Sequence, residues 1–160
     1  MSAVFETRLG VRPMVEEDLE EIILIEEEVY ESPWTEGIFY DCMRVGYSCW
    51  VYEDDSKIVA YAVLSVAANE AHVLTLVVHP DMQKKGIGRM MLEHMLIAAY
   101  SVKVDTVLLE VRPSNKGAIH LYLIAGFRTI GKRPDYYPSN HGREDALVMS
   151  LPMPETMPFL

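Results

Sequence analysis

At His79-Pro80 the hydropathy pattern of this chain changes period, and that change limits the fold more than any other feature. Upstream, residues 47–52, 58–67 and 71–78 are apolar runs rich in β-branched and aromatic side chains, parted by the short turns EDDSK and Asn69-Glu70. These read as antiparallel strands. Downstream, residues 86–100 place Met90, Met91, Met95, Leu96 and Ala99 at helical spacing, a strand follows over 106–111, and a second helix over 116–125 ends at Gly126. Strand, helix and strand in that order make a βαβ crossover, so one sheet must serve both halves. The expected class is α+β, with a central, mostly antiparallel mixed sheet flanked by helices.

The remaining elements fit around that sheet. Residues 16–30 carry Leu19, Ile22, Ile23 and Val29 on one helical stripe, with acids in the first turn where the helix dipole favours them. Ser32-Pro33-Trp34-Thr35 breaks this helix, and Thr35 is placed to cap a short one reaching Met43. Strands are expected over 127–132 and 146–151, joined by a polar Tyr/Pro/Gly loop. With 160 residues and no long linker, one domain over residues 1–152 is expected, followed by a flexible Pro-rich tail over 153–160.

Charge and composition exclude several functions. Lys and Arg number 14 against 24 Asp and Glu, and a net charge of −10 opposes a general grip on nucleic-acid phosphates. No apolar run approaches the roughly 20 residues that span a bilayer, and the N-terminus lacks a basic stretch leading into an apolar core, so a cytoplasmic location is expected. Cys42 and Cys49 form no metal or redox spacing and read as two buried thiols, and the five histidines stand singly, so no metal is expected. The acids crowd into residues 1–60, which hold 15 against 4 bases. That asymmetry has two readings, a solvated acidic helix face or attraction of a cationic ligand.

The most informative stretch joins residues 76–78 to the helix that follows. Leu76, Val77 and Val78 end a strand, and Gln83, Lys84, Lys85, Gly86, Ile87, Gly88 and Arg89 lead into the helix through a basic loop. Free backbone N–H groups and the positive end of the dipole converge at a helix N-terminus, glycine lets the backbone come close, and three cations add charge. A phosphate suits this place. GxxxxGK[ST] is absent, and Gly86-x-Gly88 is followed by Met91 where a dinucleotide fingerprint needs glycine, so ATP and NAD are poor candidates.

Residues 83–89 after an apolar strand and Pro80 resemble the Q/R-x-x-G-x-G/A loop of the Gcn5-related N-acetyltransferases, which holds the pyrophosphate of acetyl-CoA. The likeness runs from Arg12-Pro13 to Phe127. Pro33-Trp34-Thr35, residues 109–115 (LEVRPSN), Leu121-Tyr122, Tyr136-Tyr137-Pro138 and residues 142–146 (GREDA) are similar to the bacterial branch that acetylates the N-terminal alanine of small-subunit ribosomal protein eighteen. The resemblance implies the family's splayed sheet, acetyl-CoA as co-substrate, a protein N-terminus as partner, and a monomer or weak dimer. It also implies roles. Glu110, the sole charge in an apolar strand, either faces solvent or is kept for chemistry, and it matches the family's general base. Tyr122 reads as a core aromatic and matches the general acid, for which a phenol pKa of about 10 makes it a donor at neutral pH.

Further residues carry the same double reading. Asn115 fits a helix N-cap and matches the asparagine that touches CoA, while Leu76, Val77 and Val78 match the strand that pairs with the pantetheine arm. Trp34, Tyr136 and Tyr137 are loop candidates for the acceptor peptide. Residues 121–127 (LYLIAGF) lack the polar residues expected between tyrosine and glycine, and the tail exceeds the family pattern. Two other functions stay open, acetylation of a lysine or polyamine amine and a CoA-binding module without turnover.

Overall fold

The computed structural model describes residues 10–139 and 142–157. Its strands are β1 (Val11–Pro13), β2 (Ser48–Asp54), β3 (Lys57–Ala67), β4 (Glu70–Val78), β5 (Thr106–Val111), β6 (Arg128–Ser139) and β7 (Gly142–Pro152), and its α-helices are α1 (Leu19–Val29), α2 (Glu36–Arg44), α3 (Ile87–Ser101) and α4 (Lys116–Ala125). One sheet runs in the order β1-β2-β3-β4-β5-β7-β6. Pairing is antiparallel for β1 with β2, β2 with β3, β5 with β7 and β6 with β7. The βαβ crossover makes β4 parallel to β5, in register from Glu70↔Thr106 to Val73↔Leu109. The α+β class with a mostly antiparallel mixed sheet is therefore correct.

The chain divides into two compact units, one with residues up to Ser65 and Thr75–Met95, the other with Val66–Leu74 and residues from Leu96 onward. In the first, Leu19, Ile22 and Ile25 of α1, Phe39 of α2, and Val51 and Tyr61 of the strands are buried. The helix expected from residue 16 opens instead with a 3-10 turn, Glu16–Asp18. Buried Asp18 accounts for this, since its carboxylate turns back to accept from the Val15 N–H at 2.8 Å and from Arg12 Nη1 and Nη2 at 2.8 and 2.7 Å. Burial pushes that carboxyl up, but the Arg12 and Val15 donors outweigh it and hold it below the usual carboxylate range. Thr35 caps α2 as its sequence predicts, its side chain accepting from the Ile38 N–H.

The β2–β3 hairpin turns on Asp55 and Ser56, whose φ values of 52° and 63° are those of a type I′ turn. Aspartate tolerates that region, but serine is not suited to it, and a side chain there costs roughly 1–2 kcal/mol. Ser56→Gly is expected to raise the thermal midpoint by about 2 °C, allowing for glycine's greater freedom in the unfolded chain. An unchanged or lower midpoint in a thermal scan would contradict this turn assignment.

In the second unit Val107, Leu109 and Val111 of β5 are buried with Phe127 and Met149. The expected loop after residue 132 is a correction. β6 continues to Ser139 and β7 begins at Gly142, making one long hairpin. Pro134 and Pro138 argue against a strand in the sequence, but β6 is the outer strand of the sheet, where a missing N–H is tolerated. A register shift between Arg133 and Tyr137 takes up the irregularity, with Asp135 at φ 52°. Side chains of β7 satisfy the bulge, Arg143 donating to the Asp135 and Tyr136 carbonyls and Asp145 accepting from the Asp135 N–H.

Beyond β7, the Met153 N–H donates to the Asp105 carbonyl, Tyr100 donates to the Glu155 carbonyl, and Met157 is buried. The segment expected as a tail is thus attached as far as residue 157, and residues 158–160 lie outside the described ones.

Candidate functional site

β5 alternates in burial, with Val107, Leu109 and Val111 on its covered face and Thr106, Leu108 and Glu110 on the other. Glu110 sits on the less covered face, yet its side chain is only 10% exposed because two partners close over it. One oxygen hydrogen-bonds to His72 Nε2 of β4, and the other lies 3.3 Å from Arg133 Nε of β6. Register explains the meeting. His72 pairs with Leu108, Glu110 with Val148, and Val148 with Gly131, so His72, Glu110 and Arg133 share one face. Glu110 is neither a solvated strand charge nor a lone buried one.

From Arg133 a chain of contacts continues along the hairpin. Its guanidinium lies 5.7 Å from the Tyr136 ring, Tyr136 meets Tyr137 edge-on at 4.8 Å, and the Arg112 guanidinium lies 4.5 Å over Tyr137. Arg112 also pairs with Glu144 at 3.3 Å, and Glu144 accepts from the Ser114 hydroxyl and N–H. Those Ser114 donors, with Arg112, hold the Glu144 carboxyl below its ordinary range. Tyr136 and Tyr137 therefore belong to β6 rather than to a loop, which corrects their expected setting.

Asn115 is the N-cap of α4, its Oδ1 accepting from the Ala118 N–H at 3.2 Å. Buried Tyr122 lies on the same helix and packs on Phe127, the ring centroids 5.7 Å apart. Gly126 ends the helix in the left-handed conformation at φ 109°, as its position in the sequence predicts.

The phosphate-type loop belongs to the first unit. β4 runs on through Leu76, Val77 and Val78, and the Gln83 amide donates to the Val78 carbonyl at 3.2 Å. Lys84 and Gly86 take left-handed backbone angles, φ 62° and 83°, and the Gly86 carbonyl accepts the first bond of α3 from Met90. A Cβ on Gly86 would meet nothing within 4 Å, so the space above it is open. Ile87, Gly88 and Arg89 form the first turn of α3, whose N–H groups have no carbonyl within the helix, and Lys84, Lys85 and Arg89 are exposed around it. These residues fit a pyrophosphate.

Trp34 is half-buried, its ring edge-on to Phe39 at 5.2 Å and its N–H donating to Glu26 at 3.0 Å. Glu26 is buried within the acidic helix, where its other oxygen accepts from the Tyr61 hydroxyl at 2.7 Å. Burial raises its pKa despite the two donors. A raised folded pKa adds stability below the unfolded value of about 4.3, and that stability is lost as pH rises through the folded value. Glu26→Gln keeps both contacts, with its carbonyl on the Trp34 N–H and its amide donating to Tyr61 oxygen, and should remove this pH dependence. Glu26→Ala should cost about 2–3 kcal/mol at neutral pH. Denaturant titrations at pH 4 and pH 8 check both, and a wild-type-minus-glutamine difference that does not vary with pH would contradict the account.

Most of the other α1 acids, Glu20, Glu27 and Glu28 among them, are exposed, as a solvated helix face requires. Cys42 and Cys49 are free, buried thiols, and burial pushes Cys49 up to about 12. Among the described residues no cluster of His, Cys, Asp or Glu is arranged to hold a metal, and no helix is long and apolar enough to cross a membrane.

Sequence reasoning missed His72, Arg133 and Glu26. The histidine stands in an apolar strand at a position facing the same way as Glu110, but only the β4–β5 register brings the two together.

Residues 15–127 match the model of the acetyltransferase (GNAT) family. The chain belongs to that family. Members of this family are acyltransferases that use acetyl-CoA. A [ribosomal protein bS18]-alanine N-acetyltransferase of Escherichia coli K12 is 38% identical over 136 residues, 85% of this chain and 92% of the relative. The Salmonella typhimurium enzyme of the same name is 38% identical over 129 residues, 81% of this chain and 87% of the relative. Among solved structures, the ribosomal-protein-S18-alanine N-acetyltransferase from Escherichia coli superposes with a TM-score of 0.84 at 35% identity, covering 94% of this chain and 97% of that one. Ard1 from Thermoplasma volcanium gives 0.82 at 25% identity, covering 91% and 97%.

Proposed function

We propose that this GNAT enzyme transfers acetyl from acetyl-CoA to the N-terminal α-amine of a protein, with the alanine of small-subunit ribosomal protein eighteen as its acceptor. Likeness at 38% identity over 81% and 85% of the chain to two enzymes named for that reaction supports the acceptor. The single structural observation behind the chemistry is the carboxylate of Glu110, shielded on the less covered face of β5 and held from both sides.

Acetyl-CoA supplies the thioester, and the chain must bind it, make the amine a nucleophile and protonate the leaving sulfur. Residues 83–89 and the first N–H groups of α3 hold the pyrophosphate, and Asn115 adds a polar contact. Leu76, Val77 and Val78 pair with the pantetheine arm as an added strand, and an N–H near Val78 polarises the thioester carbonyl. Glu110 is the general base that draws the proton from the α-ammonium, whose pKa of about 8 makes this a modest task near neutrality. Tyr122 is the general acid for the thiolate. Trp34, Tyr136 and Tyr137 contact the acceptor peptide.

The enzyme works as a monomer or weak dimer in the cytoplasm, where a ribosomal acceptor is met. Thiol release with acetyl-CoA and an alanine-terminated peptide copied from that ribosomal protein tests the proposal. One acetyl group per thiol, located on the α-nitrogen by mass spectrometry, is the expected result. Thiol release with the acetyl group on a side-chain amine would favour a lysine or polyamine enzyme, and CoA binding without release a non-catalytic module.

A further inference from the structure

Both oxygens of Glu110 are occupied, one by His72 Nε2 and one by Arg133 Nε. A carboxylate oxygen accepts from the imidazole, and the neutral ring then donates from Nε2. That tautomer leaves a lone pair on Nδ1, and Nδ1 has no hydrogen-bond partner among the described residues. The His72 side chain is 31% exposed where that of Glu110 is 10% exposed, so the imidazole is the more accessible of the two. The surroundings bear few other charges. β3 has none from Ile58 to Ala67, where Tyr61 is its only titratable group, and β7 has none from Ala146 to Pro152. Arg133 on β6 is held against Glu110, and the carboxylate of Glu70 stands two residues from His72 on the same face of β4.

We propose that Glu110 acts through His72, the imidazole Nδ1 being the atom that takes the proton from the acceptor's ammonium. The N–H bond of the ammonium breaks, an N–H bond forms at Nδ1, and the positive charge moves onto an imidazolium whose other N–H faces the Glu110 carboxylate. Release of that proton to water restores the neutral ring. Arg133 is a positioning residue, fixing the second oxygen so that the first stays on the imidazole. This inference rests on the acetyltransferase reading of Glu110 and changes one point of it, the carboxylate drawing the proton through the imidazole and not directly.

The test is the pH profile of kcat at saturating acetyl-CoA and peptide for wild type, His72→Gln and Glu110→Gln, with CoA binding and thermal midpoint as controls on folding. Glutamine at 72 still donates to Glu110, so a merely structural histidine would be replaced without consequence. We expect His72→Gln to lower kcat about tenfold at pH 7, because Glu110 remains as a poorer acceptor, and to move the acid limb of the profile. Wild-type kcat and an unmoved limb in His72→Gln, with turnover lost in Glu110→Gln, would overturn the pair while leaving Glu110 as sole base. Undiminished turnover in Glu110→Gln would overturn the underlying reading as well.

Discussion

Glu110→Gln is expected to lower kcat by about 10²–10⁴-fold while CoA affinity changes less than about twofold. Glutamine has nearly the same volume and its oxygen can still accept from His72 Nε2, leaving its amide toward the exposed Arg133, so the packing of β5 should survive. The negative charge that draws the proton is what disappears. Loss of the charge also leaves Arg133, which is 57% exposed at its side chain and therefore hydrated, with little penalty. A kcat within threefold of wild type, in a variant that still binds CoA, would remove Glu110 from the reaction.

Tyr122→Phe is the second large effect, expected at about 10²-fold in kcat. The ring packs against Phe127 inside the second unit, and phenylalanine retains that ring, so the change isolates the hydroxyl. Loss of a proton donor to the leaving sulfur acts on the chemical step, which predicts a fall in kcat and in kcat/KM by similar factors, with KM for acetyl-CoA little changed. A thioester whose leaving thiol is more acidic should recover part of the lost rate in the variant, since it needs the donor less. Unchanged turnover would return Tyr122 to the role of a core aromatic.

The sequence was legible where local chemistry decides structure. The helical spacing of residues 116–125, the cap at Asn115 and the left-handed Gly126 all follow from side-chain type and are found as expected. Thr35 and the strand over 106–111 are equally local. The basic loop before α3 was legible for the same reason, because strand end, glycine and cations stand next to one another in the chain.

Where tertiary position decides, the sequence was silent or misleading. Pro134 and Pro138 break a strand in any local reading, and only the outer place of β6 in the sheet lets them stay within one. That place moves Tyr136 and Tyr137 from a loop onto a strand, in contact with Arg133 and Arg112. Glu26 looked like one more acid on a solvated helix face, and the stripe of periodicity carries no sign that its carboxylate turns inward to Tyr61 and the Trp34 N–H. His72 and Glu110 are 38 residues apart, so their contact depends on a strand register that no local pattern records.

The most direct test of the central claim compares two peptides in a thiol-release assay with acetyl-CoA. One carries the alanine N-terminus of ribosomal protein eighteen, and the other is identical but blocked at its α-amine with its lysines left free. The account predicts turnover on the free peptide alone. Equal turnover on the blocked peptide would contradict it.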